Sequence, residues 1–160
     1  MGRILFTGIL VLTTVATLAA QPNNHLALEG LQHTGVYFDV NLGQPQKLLL
    51  RLTLIEETIN GLTAAGLTPA VVIGFRGGAT LFLTRGDHYL PKEDLAAKQA
   101  IQAQIRRLKQ RGYQPEQCAL AARLLNVKQE DIITDVPLVA NGYISMIGYQ
   151  SRGYAYVPMD

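Results

Sequence analysis

One cysteine stands in the 160-residue chain: Cys118, in the run Glu116-Gln117-Cys118-Ala119-Leu120-Ala121-Ala122-Arg123-Leu124-Leu125-Asn126-Val127. A lone thiol cannot close an internal disulfide, so it is a packing residue, an intermolecular link or a reactive sulfur. Free cysteine among alanines and leucines often behaves as a small apolar residue. The position also suits chemistry. Cys118 falls either after a short third strand or in the first turn of a helix starting near Pro115. Both placements set the sulfur beside the unpaired N–H groups of a helix N-terminus. The positive end of a helix stabilises a thiolate there, and the thiolate is the form that attacks sulfur donors.

Few other residues could assist. Arg76-Gly77-Gly78 forms a loop after an apolar run, and Arg76 or Arg85 could hold an anion such as an oxidised sulfur species. The glycines fit neither the GxGxxG spacing nor a GK[ST] ending, so they read as a tight turn rather than a phosphate cradle. His88, in Arg85-Gly86-Asp87-His88-Tyr89, could shuttle a proton if its loop folded toward Cys118; a surface loop is the plainer reading. His25 and His33 lie in a polar lead-in. One cysteine and scattered histidines give no zinc spacing, and no cofactor or metal is implied. A cysteine-protease arrangement has no specific support. Tyr143, Tyr149, Tyr154 and Tyr156 read as core or subunit-contact residues.

Residues 1–20 have the parts of an export signal: Arg3, an apolar stretch from Ile4 to Leu18, then Ala19 and Ala20 as a small-residue cleavage site. The stretch is short for a membrane span, so cleavage after Ala19 or Ala20, without stable membrane insertion, is expected. A periplasmic or otherwise exported location follows. The whole chain carries 14 basic against 12 acidic side chains; loss of Arg3 leaves 13 against 12. That balance gives no basis for nucleic-acid binding, and Arg106-Arg107-Leu108-Lys109-Gln110-Arg111 reads as a solvated helix face.

The elements that must position Cys118 alternate. Gly35–Val40 has strand composition. From Gln44 to Ala65, Leu48, Leu52, Ile55, Ile59 and Leu62 recur at helical spacing, with Leu49, Leu50 and Leu54 widening the apolar face. Ala70–Phe75 is a near-continuous apolar strand of the kind covered on both faces. A helix runs from Lys92 to Gln110, a short strand is expected at Tyr113, and a third helix around Cys118–Leu125. Val136–Ala140, a helix from Tyr143 to Gln150 and a strand Tyr154–Val157 complete the chain. Residues 21–34 are thus a polar lead-in and 35–160 one domain: a three-layer α/β sandwich with a mostly parallel sheet of about five strands. Sites in such sheets gather beyond the carboxyl ends of the strands, where Cys118 and the Arg76 loop fall.

Two stretches resemble the DsrE/DsrF-like family of sulfur-relay proteins. One is the cysteine and alanine-rich helix from Cys118 to Val127. The other is Val136-Pro137-Leu138-Val139-Ala140-Asn141-Gly142, followed by Gln150-Ser151-Arg152-Gly153-Tyr154-Ala155-Tyr156-Val157-Pro158. The resemblance spans roughly Gly35 to Pro158. It implies a five-stranded α/β sandwich, assembly as a homo-oligomer such as a trimer or hexamer, and a cysteine at the position of Cys118 that carries sulfane sulfur to or from a protein thiol. The chain departs from relatives in its export signal, and in reading Gly74-Phe75-Arg76-Gly77-Gly78-Ala79-Thr80 where many have a histidine-containing turn.

Two functions follow from different classes. In one, the chain is a periplasmic sulfur carrier or sulfurtransferase working through a persulfide on Cys118, with Arg76, Arg85 or Arg123 as charge partners. In the other, it is a non-catalytic oligomeric binding or scaffold protein in which Cys118 only packs.

Overall fold

The computed structural model describes residues 21–160; the expected export signal at residues 1–20 lies outside them. A helical turn, α1 (His25–Leu28), interrupts the lead-in, and β1 begins at His33, two residues earlier than the composition suggests. β1 (His33–Val40) is followed by α2 (Pro45–Ala64) and β2 (Thr68–Phe75), then by three 3-10 segments at Gly77–Leu83, Asp87–Tyr89 and Lys92–Asp94. The expected helix at 92–110 is therefore a 3-10 turn leading into α3 (Leu95–Gln110). β3 (Gln114–Cys118), α4 (Ala119–Leu124), β4 (Leu138–Val139), α5 (Gly142–Ser151) and β5 (Tyr154–Pro158) complete the order.

Five parallel strands form one sheet in the order β4-β3-β2-β1-β5. Alternation along each strand sorts the faces. Val36, Phe38 and Val40 of β1 and Val71, Ile73 and Phe75 of β2 enter the main core with Leu48, Leu52, Ile55 and Ile59 of α2 and Ile101, Ile105 and Leu108 of α3. Tyr37 and Val72 point the other way, toward Met146 of α5. Pro45 starts α2 and Gly66, at φ +87°, follows its end. Leu50 does not widen the buried face as its hydropathy suggests; it is 53% exposed.

The short third strand expected at Tyr113 is present at Gln114–Cys118. Polar composition argues against a strand at Gln114–Gln117, yet these residues pair with Val72–Phe75. Gln117 is anchored through its amide nitrogen, while its buried Oε1 has no partner among the described residues. Gln117 Nε2 donates to Thr80 Oγ1 and to the Cys118 carbonyl, both at 2.9 Å. Pro115 is tolerated because β4 pairs with β3 only at Gln117 and Cys118, leaving β3 an edge at the proline. β4 itself spans two residues rather than the five expected. The basic run on α3 is a solvated, ion-paired face: Arg107 and Arg111 approach Glu56, and Lys109 approaches Asp135.

Candidate functional site

Cys118 is the last residue of β3 and the cap of α4, which excludes a helix that begins at Pro115. Its side chain shares the Glu116 face of the strand, the side covered by α5. The connections after β3 and β4 run to opposite faces: α4 packs through Ala122 beside Leu81 on the main-core side, and α5 packs on the other. Adjacent strands whose connections diverge leave a crevice at their carboxyl ends. Cys118 Sγ lies in it.

Both helices present N–H groups to the sulfur. Sγ accepts from Ala121 N at 3.4 Å and from Gly142 N at 3.2 Å. In α4 it takes the place that a serine or aspartate oxygen fills in an ordinary cap. At α5 the capping side chain is Asn141, whose Oδ1 accepts from Tyr143 N, while Ile144 N and Ser145 N donate to the Asn141 carbonyl. The Gly142 N–H is left for the sulfur. Glycine lets the sulfur approach closely there: a Cβ would stand 3.2 Å from Cys118 Cβ and 3.5 Å from Sγ. The thiol is 3% exposed and opens on a cavity of about 260 Å³.

Arg76 and Gly77 line this cavity with Cys118, as do Leu120, Leu124 and Tyr143. Arg76 is fixed by Asp39, which is 1% exposed: Nε meets Oδ1 at 2.8 Å and Nη2 meets Oδ2 at 2.6 Å. Tyr156 Oη donates to the same carboxylate at 2.7 Å. Hydrogen bonding to Asp39 pushes the Arg76 pKa up and holds the Tyr156 phenol protonated by raising its pKa. The guanidinium also lies 5.1 Å from the Tyr143 ring centroid, with Nη1 donating to its hydroxyl at 3.4 Å.

Beneath α5, two residues before the cysteine, Glu116 is buried and accepts from Tyr37 Oη at 3.1 Å. Burial raises the pKa of both groups; for Glu116, hydrogen bonds from Ser145 and Tyr37 oppose the rise. Tyr37 reaches across β2 because Gly74 offers no side chain in its path.

Gly77, at the cavity wall, has φ +52°, and Gly78 packs against Gly43, where a Cβ would stand 2.5 Å from Cα, so both serve the turn. The remaining sequence candidates lie elsewhere. Arg85 donates to the carbonyls of Glu130 and Ile132 and ties two loops together. His88 is exposed and stacks on Tyr89; its loop is held by Lys98, not folded over Cys118. Arg123 faces a separate hollow with Gln129 and Asn141. Among the described residues no group of three or more His, Cys, Asp or Glu side chains is placed to hold a metal, and no helix is long and apolar enough to cross a membrane.

Sequence reading missed Asp39, Glu116, Tyr143 and Gly142. An acidic residue inside Val36-Tyr37-Phe38-Asp39-Val40 was the available signal for the first of these. The others depend on strand register and helix placement.

The profile of the DsrE/DsrF-like family matches residues 35–159. Among solved structures, a protein of unknown function, MTH1491 from Methanobacterium thermoautotrophicum, is similar at a TM-score of 0.57 and 16% identity, over 79% of this chain and 98% of that one. At that identity the likeness concerns the fold. No curated protein matches.

Proposed function

This chain belongs to the DsrE/DsrF-like family, and on that premise we propose that it is an exported sulfur carrier that holds sulfane sulfur as a persulfide on Cys118 and passes it to a partner thiol. Family membership is consistent with sulfur relay. One observation carries the assignment to Cys118: its sulfur accepts N–H groups from two separate helices at the mouth of a cavity. Donors aimed at an atom that gains negative charge stabilise that charge without reorganising. The thiolate attacks the sulfane sulfur of a donor, a Cys118 S–S bond forms, and the donor's own S–S bond breaks with its electron pair leaving on the departing thiolate. Attack by an acceptor thiolate on the outer sulfur then returns Cys118 to its starting state. Homo-oligomer formation belongs to the same proposal, supported by exposed Tyr143, Ile144 and Ile147 on α5.

The competing reading, a binding or scaffold protein with a structural cysteine, draws on the 3% exposure of the thiol. Intact-mass measurement before and after incubation with polysulfide separates the two. The carrier gains the mass of one or more sulfur atoms, reversibly with reductant, and Cys118→Ser gains none. A thiol that stays unmodified until the chain unfolds assigns Cys118 to packing.

A further inference from the structure

The walls of the cavity bear on which sulfur donor fits, given the reading of Cys118 as a sulfur acceptor. Leu120, Leu124, Leu125 and Ala121 supply an apolar surface, and among the described lining residues Arg76 alone is charged. That charge is largely spoken for. Nε and Nη2 are committed to Asp39, so the site approached by a ligand is a net-neutral ion pair. Nη1 remains, engaged only by a 3.4 Å contact to the Tyr143 hydroxyl that an incoming anion can replace. One open guanidinium edge can meet one negative charge. The cost of removing an ion from water rises with the square of its charge, and leucine walls repay none of it for a sulfonate group. They do repay the burial of polarisable, weakly hydrated sulfur.

We infer that the Cys118 cavity selects a small, singly charged sulfane chain, a hydropolysulfide or an alkyl persulfide, and discriminates against sulfonate-bearing dianions. The donor enters as RSS⁻, where R is an alkyl group or a sulfur chain, and takes the Cys118 proton. The resulting thiolate attacks the outer sulfur of RS–SH. Cys118–S–SH forms, the RS–SH bond breaks, and RS⁻ departs with the electron pair, its charge facing Arg76 Nη1. Overall, Cys–SH and RSS⁻ become Cys–S–SH and RS⁻. Charge and protons balance, and no external oxidant is needed because the sulfane sulfur carries its oxidation level with it.

The test compares three probes on the full chain: hydropolysulfide, the persulfide of 2-mercaptoethanol, and tetrathionate, a dianion that reacts readily with small thiols. Each rate of Cys118 modification, followed by intact mass, is divided by the rate of the same probe with N-acetylcysteine. Selection for low charge gives one or both of the singly charged probes a normalised rate at least tenfold above that of tetrathionate. The probe that gains identifies the free or the alkyl source. Leu124→Lys adds a second cation at a lining position that is 72% exposed, so folding is not at stake. It narrows the gap at least fivefold. Equal normalised rates for all three probes, or a gap that Leu124→Lys leaves unchanged, overturn the selectivity while Cys118 remains a sulfur acceptor. Failure of every probe to modify the native protein instead overturns the carrier reading, and this inference with it.

Discussion

Gly142→Ala is the sharpest probe of the idea that two helix ends stabilise a sulfur anion. The added methyl would stand 3.2 Å from Cys118 Cβ, so that Cβ must give by a few tenths of an ångström and carry the sulfur with it, away from the Gly142 N that now lies 3.2 Å from Sγ. A hydrogen bond to a charged group contributes about 1.5–3 kcal/mol, and partial loss removes about 0.5–1.5 kcal/mol of it. At about 1.4 kcal/mol per decade that is about a 2- to 12-fold loss in the stabilisation of charge on the sulfur. A less stabilised sulfur anion is also a better nucleophile, with a Brønsted slope of about 0.4–0.5, which recovers nearly half of the effect on a logarithmic scale. Iodoacetamide should therefore alkylate the variant about 1.5- to 4-fold more slowly than the parent. Folding should survive, since Gly142 is the first residue of α5 and alanine is the better helix former. Equal rates would refute the electrostatic role of the Gly142 N–H. A slowing that deepens with a bulkier alkylating reagent would assign the effect to blocked access instead.

Two further predictions concern the buried cluster below the sulfur. Gly74→Ala sets a methyl 1.9 Å from Tyr37 Oη and 2.4 Å from Cζ, forcing the ring aside and taking a donor from Glu116. Overpacking and a weakened buried hydrogen bond together cost about 2–5 kcal/mol in urea unfolding; a loss below about 1 kcal/mol would mean that Tyr37 has room to move. Glu116 supplies a pH test. Its native pKa is raised by burial above the unfolded value, so the native state holds the proton longer and stability falls as pH climbs from about 4.3 toward the native value. Glu116→Gln removes that fall, and the stability of the variant relative to the parent should rise through the window; parallel urea-midpoint profiles would contradict it.

The sequence carried the layer architecture better than the site. Helical spacing in α2 and the apolar run of β2 report burial directly, because one face of each must leave water. β3 defeats that reasoning. Its buried positions hold Glu116 and Gln117, whose partners Tyr37 and Thr80 are 79 and 37 residues away. No local pattern encodes a polar group whose partner is so distant in the chain. Leu50 shows the opposite failure: apolar identity widened a face on paper that the helix leaves in solvent. Arg76 was legible as a loop cation near a strand end. Its neutralisation by Asp39 was not, since that pairing depends on β1 lying beside β2 in register.

The placement of Cys118 follows from topology rather than from any motif around it. A chain that adds β2, β3 and β4 successively on one side of β1 keeps its right-handed connections on one face. Returning to pair β5 with the far side of β1 reverses the direction of travel and sends α5 to the other face. The reversal falls between β3 and β4, so their outgoing helices must separate at that point. Whatever residue ends β3 with its side chain toward α5 then lies beside the N-termini of both helices. Alternation from Glu116 fixes that residue as Cys118, and a one-residue slip of β3 would turn the sulfur toward the main core. The position of the sulfur and the buried Glu116–Tyr37 pair are therefore set by one register, which is why a substitution at Gly74, the partner of Glu116 on the neighbouring strand and two residues before Arg76, should disturb the stability of the strand that presents the sulfur.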